Sequence, residues 1–324
     1  MSRSNKKIVS IVIKIVILAL ASYFIYTKLH HNPNISNFKA LAKYIPAQQV
    51  WIVLVTVFGL MLLNWFLEAL KWKFLVSKLE KISAWKAIES IFCGLTWAVF
   101  TPNRLGEFGG RVLFLSPRKR ISGTIAMSVG AIGQLVVTNI LGSLAVLWFV
   151  NRFLNLNIIV FFCLIVLVII FCLFFLLFFF NIKWVGSLLL RIPFLKKFKK
   201  FFRILGQYKK KELLRVFIYS LSRFTVFTTQ YCLLINLLAP GISLLDMTMM
   251  LCIMFFVQSS LPSLDLLDVG VRASTATYLF AFITPQEVAI MASTASIWLI
   301  NLIIPAILGC FFVLKLNFFG KYRS

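Results

Sequence analysis

Thr101-Pro102-Asn103-Arg104-Leu105-Gly106-Glu107-Phe108-Gly109-Gly110-Arg111 is the stretch on which the fold turns. It holds two arginines, one glutamate, one proline and three glycines, and it lies between two apolar segments. Glycine and proline break helices, and charges are costly in hydrocarbon. Irregular backbone at membrane depth is tolerated only where protein or a water-filled cavity surrounds it. The stretch is therefore either an ordinary aqueous loop or the lining of a polar site. A second interruption of the same kind follows at Leu261-Pro262-Ser263-Leu264-Asp265-Leu266-Leu267-Asp268-Val269-Gly270-Val271-Arg272.

Outside these two stretches the chain is strongly apolar. Its 324 residues are 61% hydrophobic and 13% charged, against roughly 45–50% and 25% for soluble domains. Apolar runs near residues 8–26, 51–69, 123–150, 158–180, 213–238 and 290–314 have the length a spanning helix needs, about 20 residues. The first follows a basic start (Arg3, Lys6, Lys7) without a clear small-x-small cleavage site, and reads as a retained anchor. The run 158–180 has no polar face and is expected to lie against lipid.

Charge sets the orientation. With both termini placed in the cytoplasm, 25 of the 34 Lys and Arg residues fall in cytoplasmic segments and 4 in outer loops. That split obeys the positive-inside rule, so the net charge of +25 reflects topology and attraction to anionic lipid rather than nucleic-acid binding. The apolar run 88–100 is too short to span, and a full crossing there would put Arg118, Lys119 and Arg120 outside. A re-entrant hairpin over 88–115, entering from the cytoplasm, resolves both points. The run at 244–257 is likewise short and ends in polar residues, so a second hairpin over 244–283, entering from outside, is expected. The reading is an all-α polytopic transmembrane bundle: one domain over 1–324, about six full spans and two oppositely oriented re-entrant hairpins. Such an arrangement resembles the inverted repeats and discontinuous helices of transporters. The basic segment 181–215 interleaves Phe194, Phe198, Phe201, Phe202 and Leu205 with lysines at helical spacing, which suits an amphipathic helix on the inner leaflet.

The hairpin tips carry the candidate site. Broken helix ends expose backbone donors, and arginine presents a fork suited to phosphate. Arg104, Arg111 and Arg272, balanced by Glu107, Asp265 and Asp268, are the candidate binding residues, with Pro102, Gly106, Pro262 and Gly270 shaping the turns. Glu107 stands four residues before Arg111 and can hold it by a salt bridge. A competing reading is that these charges pair with one another only to hold the hairpins together. Asn64, Glu68 and Lys71 mark either a solvated helix end or a polar face turned to the site. Arg223 is expected to face the bundle interior, where a carboxylate can pair with it. The six cysteines form no CxxC pair and read as core residues, and His30-His31 lacks the partners of a metal site. No HExxH, GxSxG or Walker motif occurs. No catalytic residue, cofactor or metal is therefore expected.

Pro102-Asn103-Arg104-Leu105-Gly106-Glu107, followed by Arg111 and Val112-Leu113-Phe114-Leu115, resembles the P-x-R-x-G-E signature of the lysylphosphatidylglycerol synthase transmembrane family. That family includes the flippase domain of the multiple peptide resistance factor. Leu261-Pro262 through Gly270-Val271-Arg272-Ala273 is similar to its Pro/Gly-rich second hairpin, with Ala273 where a Glu is common and Leu266-Leu267-Asp268 in place of a glycine-rich run. The resemblance implies movement of lipids or lipid-linked glycans between leaflets. The implied partners are membrane phospholipids with anionic or aminoacylated head groups, and assembly into a homo-oligomer is left open. The soluble aminoacyl-transferring domain is missing after the last span, so lysyl-lipid synthesis by this stretch alone is not expected. The alternative is a membrane-embedded enzyme or assembly subunit acting on a lipid-linked substrate. An integral protein of the cell membrane is expected in either case.

Overall fold

The computed structural model describes residues 40–99, 101, 104–196, 199–260 and 265–314, with isolated positions before residue 40. The first expected span falls largely outside them, as do Pro102, Pro262 and the side chains of Asp265 and Asp268. The described residues form helices joined by turns, without a strand. In chain order these are α1 (Ala47–Val76), α2 (Ala84–Ala98), α3 (Leu105–Val112), α4 (Arg120–Phe153), α5 (Ile158–Phe180) and α6 (Ile182–Leu189). Then come α7 (Lys210–Leu238), α8 (Leu244–Ser260), α9 (Asp265–Phe280), α10 (Glu287–Trp298) and α11 (Ile304–Val313). Among the described residues four stretches are long and apolar enough to cross a membrane: Ala47–Val76, Pro117–Phe153, Ile158–Phe180 and Glu287–Val313. Helix α7 has the length, at 29 residues, but carries Arg223 and Gln230 within it. The molecule is an all-α polytopic membrane bundle.

The expected lipid-facing run is α5: only Val168 and Phe179 are buried along its 23 residues. The last span is interrupted. Pro305 has no N–H to give the carbonyl four residues back, and the preceding turn, Leu299–Ile303, widens into a π-helix. In the basic segment, Pro193–Lys196 and Lys199–Phe202 are helical and Arg203–Gln207 tightens into a 3-10 turn. Tyr208 then donates to the carbonyl of Leu75 at 2.7 Å, tying the segment to the end of α1.

Helices α2 and α3 fold against each other, and the chain returns to where it began. Ser116 N–H donates to the Glu80 carboxylate at 3.1 Å, and Lys119 Nζ donates to the Leu79 carbonyl at 2.5 Å. The first limb of each polar-tipped hairpin packs on the span that follows the other hairpin. Helix α2 lies on α11, and α8 lies on α4. Helices α1 and α7, which precede the two hairpins, pack on one another. Exchanging the two halves therefore reproduces this contact pattern. Glycines make these approaches possible. A Cβ on Gly309 would stand 2.1 Å from the Phe92 carbonyl, and one on Gly142 would stand 2.3 Å from Phe256 Cβ. Beside Gly309, the Thr96 hydroxyl donates to the Ala306 carbonyl at 2.8 Å.

Candidate functional site

The first hairpin positions its charges through close backbone packing. A Cβ on Gly110 would stand 2.6 Å from Gly94 Cα, and one on Gly106 would stand 2.3 Å from the Trp97 carbonyl. With neither side chain present, α3 lies directly on α2. The Thr101 hydroxyl donates to the Trp97 carbonyl at 2.9 Å and accepts from Gly106 N–H at 2.8 Å, which caps the start of α3. Arg104, at the N-cap, is left-handed with φ 55°. A non-glycine residue there costs about 1–3 kcal/mol and persists only where its surroundings over-determine it. This backbone sets Arg104 Nη2 3.3 Å from Glu107.

Glu107 and Arg111, one turn apart, pair on one face of α3. Arg111 then reaches α1, donating from Nη1 to Glu68 Oε1 at 2.6 Å. Glu68 is the hub. Its Oε2 accepts from Lys71 Nζ at 2.8 Å and is paired with Arg223 from α7. Arg223 Nε donates to Asn64 Oδ1 at 3.0 Å, and its guanidinium lies 5.3 Å from the Trp65 ring. Asn64, Glu68, Lys71 and Arg111 are each no more than 7% exposed. The solvated-helix-end reading of Asn64 to Lys71 thus fails, and the polar-face reading holds. Lys71, near the end of α1 and one of the 25 basic residues the charge count assigns to the cytoplasm, is instead buried in the site. Its neighbour Glu68 compensates the charge at close range, which makes that burial tolerable.

This network forms one wall of a cavity of ≈ 470 Å³. Arg272 reaches it from α9, so the two hairpins contribute to one site. Among the described side chains lining it, the cations are Lys71, Arg104, Arg111, Arg223 and Arg272, and the carboxylates are Glu68 and Glu107. Positive charge is in excess. The remaining wall is largely apolar, Phe224, Phe227 and Phe255 among it, with neutral polar groups set in it: Gln134 and Thr138 from α4, Gln258 and Ser259 from α8, and Trp298 and Asn301 from the last span.

Of the residues singled out in the sequence, Arg104, Glu107, Arg111 and Arg272 meet at the cavity, and Gly106 sits beneath it. Pro102 and Pro262 lie outside the described residues, as do the side chains of Asp265 and Asp268, while Gly270 falls within α9. Glu68, Arg223 and Asn64 belong to the centre of the site, although the hairpin motifs alone do not include them. Their signal was present as polar groups inside apolar runs. Gln134 and Asn301 carried no signal beyond being amides in a span.

A cation-rich cavity lined from two interrupted hairpins, with a buried ion-pair network in its wall, defines a polytopic membrane protein with a polar site among its helices. Residues 11–309 match the family described as lysylphosphatidylglycerol synthase TM region, and the chain belongs to that family. No curated protein and no solved structure matches it. The family assignment places the chain among integral membrane proteins connected with lipid.

Proposed function

We propose that this protein moves lipids with anionic head groups between membrane leaflets, by way of the cavity between its two hairpins. The observation that carries this reading is the charge imbalance on the cavity wall, five cations to two carboxylates among the described side chains. Stripping water from a buried charge costs several kcal/mol. An anion about 4 Å from an uncompensated cation returns about 4 kcal/mol at the effective dielectric of such sites, ~20. A phosphate entering the cavity would meet arginine forks from α3, α7 and α9. The ion pairs do hold the first hairpin to α1, and through Glu68 to α7. Among the described side chains cations still outnumber carboxylates, which the purely structural reading of these residues does not require.

The closing of the first hairpin at Leu79, Glu80, Ser116 and Lys119 supports a re-entrant limb that dips in and returns to one face. The exchange symmetry of the contacts supports a second limb entering from the opposite face, with the cytoplasm on the side of the basic segments. In this arrangement the arginines of both hairpins line one cavity inside the membrane, which is where a head group needs help to cross. No step in the reading breaks a covalent bond or uses a cofactor.

The test is transfer of acyl-labelled lipids in proteoliposomes, read by dithionite quenching of the outer leaflet. Phosphatidylglycerol should move faster than phosphatidylcholine in the wild type, and Arg104→Ala and Glu107→Gln should slow it without loss of folding. No transfer of any lipid in a panel of anionic, zwitterionic and aminoacylated head groups would overturn the proposal and favour an enzyme or assembly subunit acting on a lipid-linked substrate.

A further inference from the structure

The last span joins the two hairpins, and it is broken between the two attachments. Its first half, α10, lies on α9 of the second hairpin and on α7. Its second half, α11, lies on α2 of the first hairpin. That second contact is tight: the Thr96 hydroxyl donates to the Ala306 carbonyl, and Gly309 leaves no room for a side chain against the Phe92 carbonyl. Between the halves, Ile304 N–H donates to the carbonyl of Leu299, five residues back, which is the bond of a π-turn. Pro305 has no N–H to give the Asn301 carbonyl four residues back.

The fold does not need this break. Helix α4 holds the corresponding place in the first half, following the first hairpin and packing on the first limb of the second. It runs as one unbroken α-helix over Arg120–Phe153. The break in the last span is therefore an added feature, and it lies at the cavity, where Ile297, Trp298, Asn301 and Leu302 form part of the wall. The turn is also tethered. Asn301 Nδ2 donates to Gln230 Oε1 of α7 at 2.6 Å and to the Ile297 carbonyl at 3.2 Å. Sharp bends in helices fall at prolines and π-turns, and a hinge is a short segment that absorbs a change in backbone angles between two packed bodies. We infer that Leu299–Pro305 is such a hinge. Bending there swings α11 and the first hairpin against α10 and the second hairpin, so the cavity between them widens and narrows. The Asn301–Gln230 bond keeps the turn on α7 while α11 moves. This inference deepens the transport reading and rests on it.

The experiment measures α11 against α7 by electron spin resonance. Ile218 on α7 and Phe311 on α11 are both exposed, and spin labels carried there on non-natural side chains leave the native cysteines in place. Phe311 lies eight residues beyond Ile303, about 12 Å along a helix, so a bend of about 20° moves it about 4 Å. The full-length wild type in lipid nanodiscs should give two distances about 4 Å apart, with populations that shift when phosphatidylglycerol is added to phosphatidylcholine. Pro305→Ala returns the missing N–H and should leave one of the two distances. It should also slow phosphatidylglycerol transfer in proteoliposomes roughly tenfold or more, while the lipid still raises its melting temperature. If Pro305→Ala does not fold, Gln230→Leu removes the tether and should broaden the distance distribution. A single distance in the wild type that no lipid changes, or transfer by Pro305→Ala equal to that of the wild type, would overturn the hinge and leave the lipid path standing. Two distances in a wild type that transfers no lipid would overturn the transport reading and leave the motion.

Discussion

Replacing Glu68 by Gln removes the carboxylate on which three cations from three helices converge. The structure lets the consequences be divided. Arg111 keeps Glu107, and Arg223 keeps Asn64. Lys71, 2% exposed, loses the carboxylate 2.8 Å away that compensates its charge. Removing one partner of a buried ion pair costs about 3–5 kcal/mol, because the other charge stays behind. Glu68→Gln should therefore lower the melting temperature in detergent by several degrees, followed by intrinsic tryptophan fluorescence with size-exclusion chromatography as the control for aggregation. Much of the cost sits on Lys71, so Glu68→Gln/Lys71→Met should be more stable than Glu68→Gln alone. Neighbours that share a network are non-additive in this way. Unchanged melting in Glu68→Gln, or a double variant that is worse by the simple sum of the two singles, would refute the hub.

Other outcomes follow from the same contacts. Gly110→Ala places a methyl 2.6 Å from Gly94 Cα; it should cost about 1–3 kcal/mol and release Arg104 and Arg111 from the cavity, seen as lower thermal stability together with weaker anion binding. Arg104→Gly and Arg104→Ala both remove the guanidinium, but only glycine relieves the left-handed backbone, so the glycine variant should melt higher by an amount worth about 1 kcal/mol. Glu80 gives a pH test at the base of the hairpin. Partial burial works against its ionised form, but hydrogen bonding from Ser116 and the charges of Lys86 and Lys119 outweigh this and hold its carboxyl below the ordinary 4.5. The folded state thus binds the proton less readily than the unfolded state. The stabilisation is fully present above pH 4.5 and is lost as pH falls through the depressed value. Melting of the wild type should fall more steeply on acidification below pH 4.5 than that of Glu80→Gln, and parallel curves would contradict the assignment.

Much of the architecture was legible in advance because lipid imposes strict rules. Apolar length marks spans, and basic residues mark one side. The Gly/Pro break at Thr101–Arg111 marks a turn that must be sheltered. The pairing of Glu107 with Arg111 could be read from their spacing alone. What stayed hidden depends on contacts between distant positions. Glu68 and Arg223 lie 155 residues apart, and each alone is only a charge in an apolar run; no local pattern says that one neutralises the other. The same holds for Gly94 against Gly110, where a missing side chain matters only once the facing backbone is known. The burial of Lys71 ran against a counting rule that assigns a lysine near a helix end to the aqueous side. The π-turn at Leu299–Ile303 has a local cause in Pro305, but its consequence, Asn301 brought to the cavity from the last span, needs the facing helices.

The central claim is that the cavity itself carries anionic lipid, and the most direct measurement is transport with that cavity filled. Ala131 lines it from the exposed side of α4, so Ala131→Trp can fill it without disturbing the ion pairs. Phosphatidylglycerol transfer in proteoliposomes should be clear in the wild type and arrested in Ala131→Trp, with the melting temperature of the two proteins alike. Equal transfer by a well-folded Ala131→Trp protein would place the lipid path elsewhere and contradict the account.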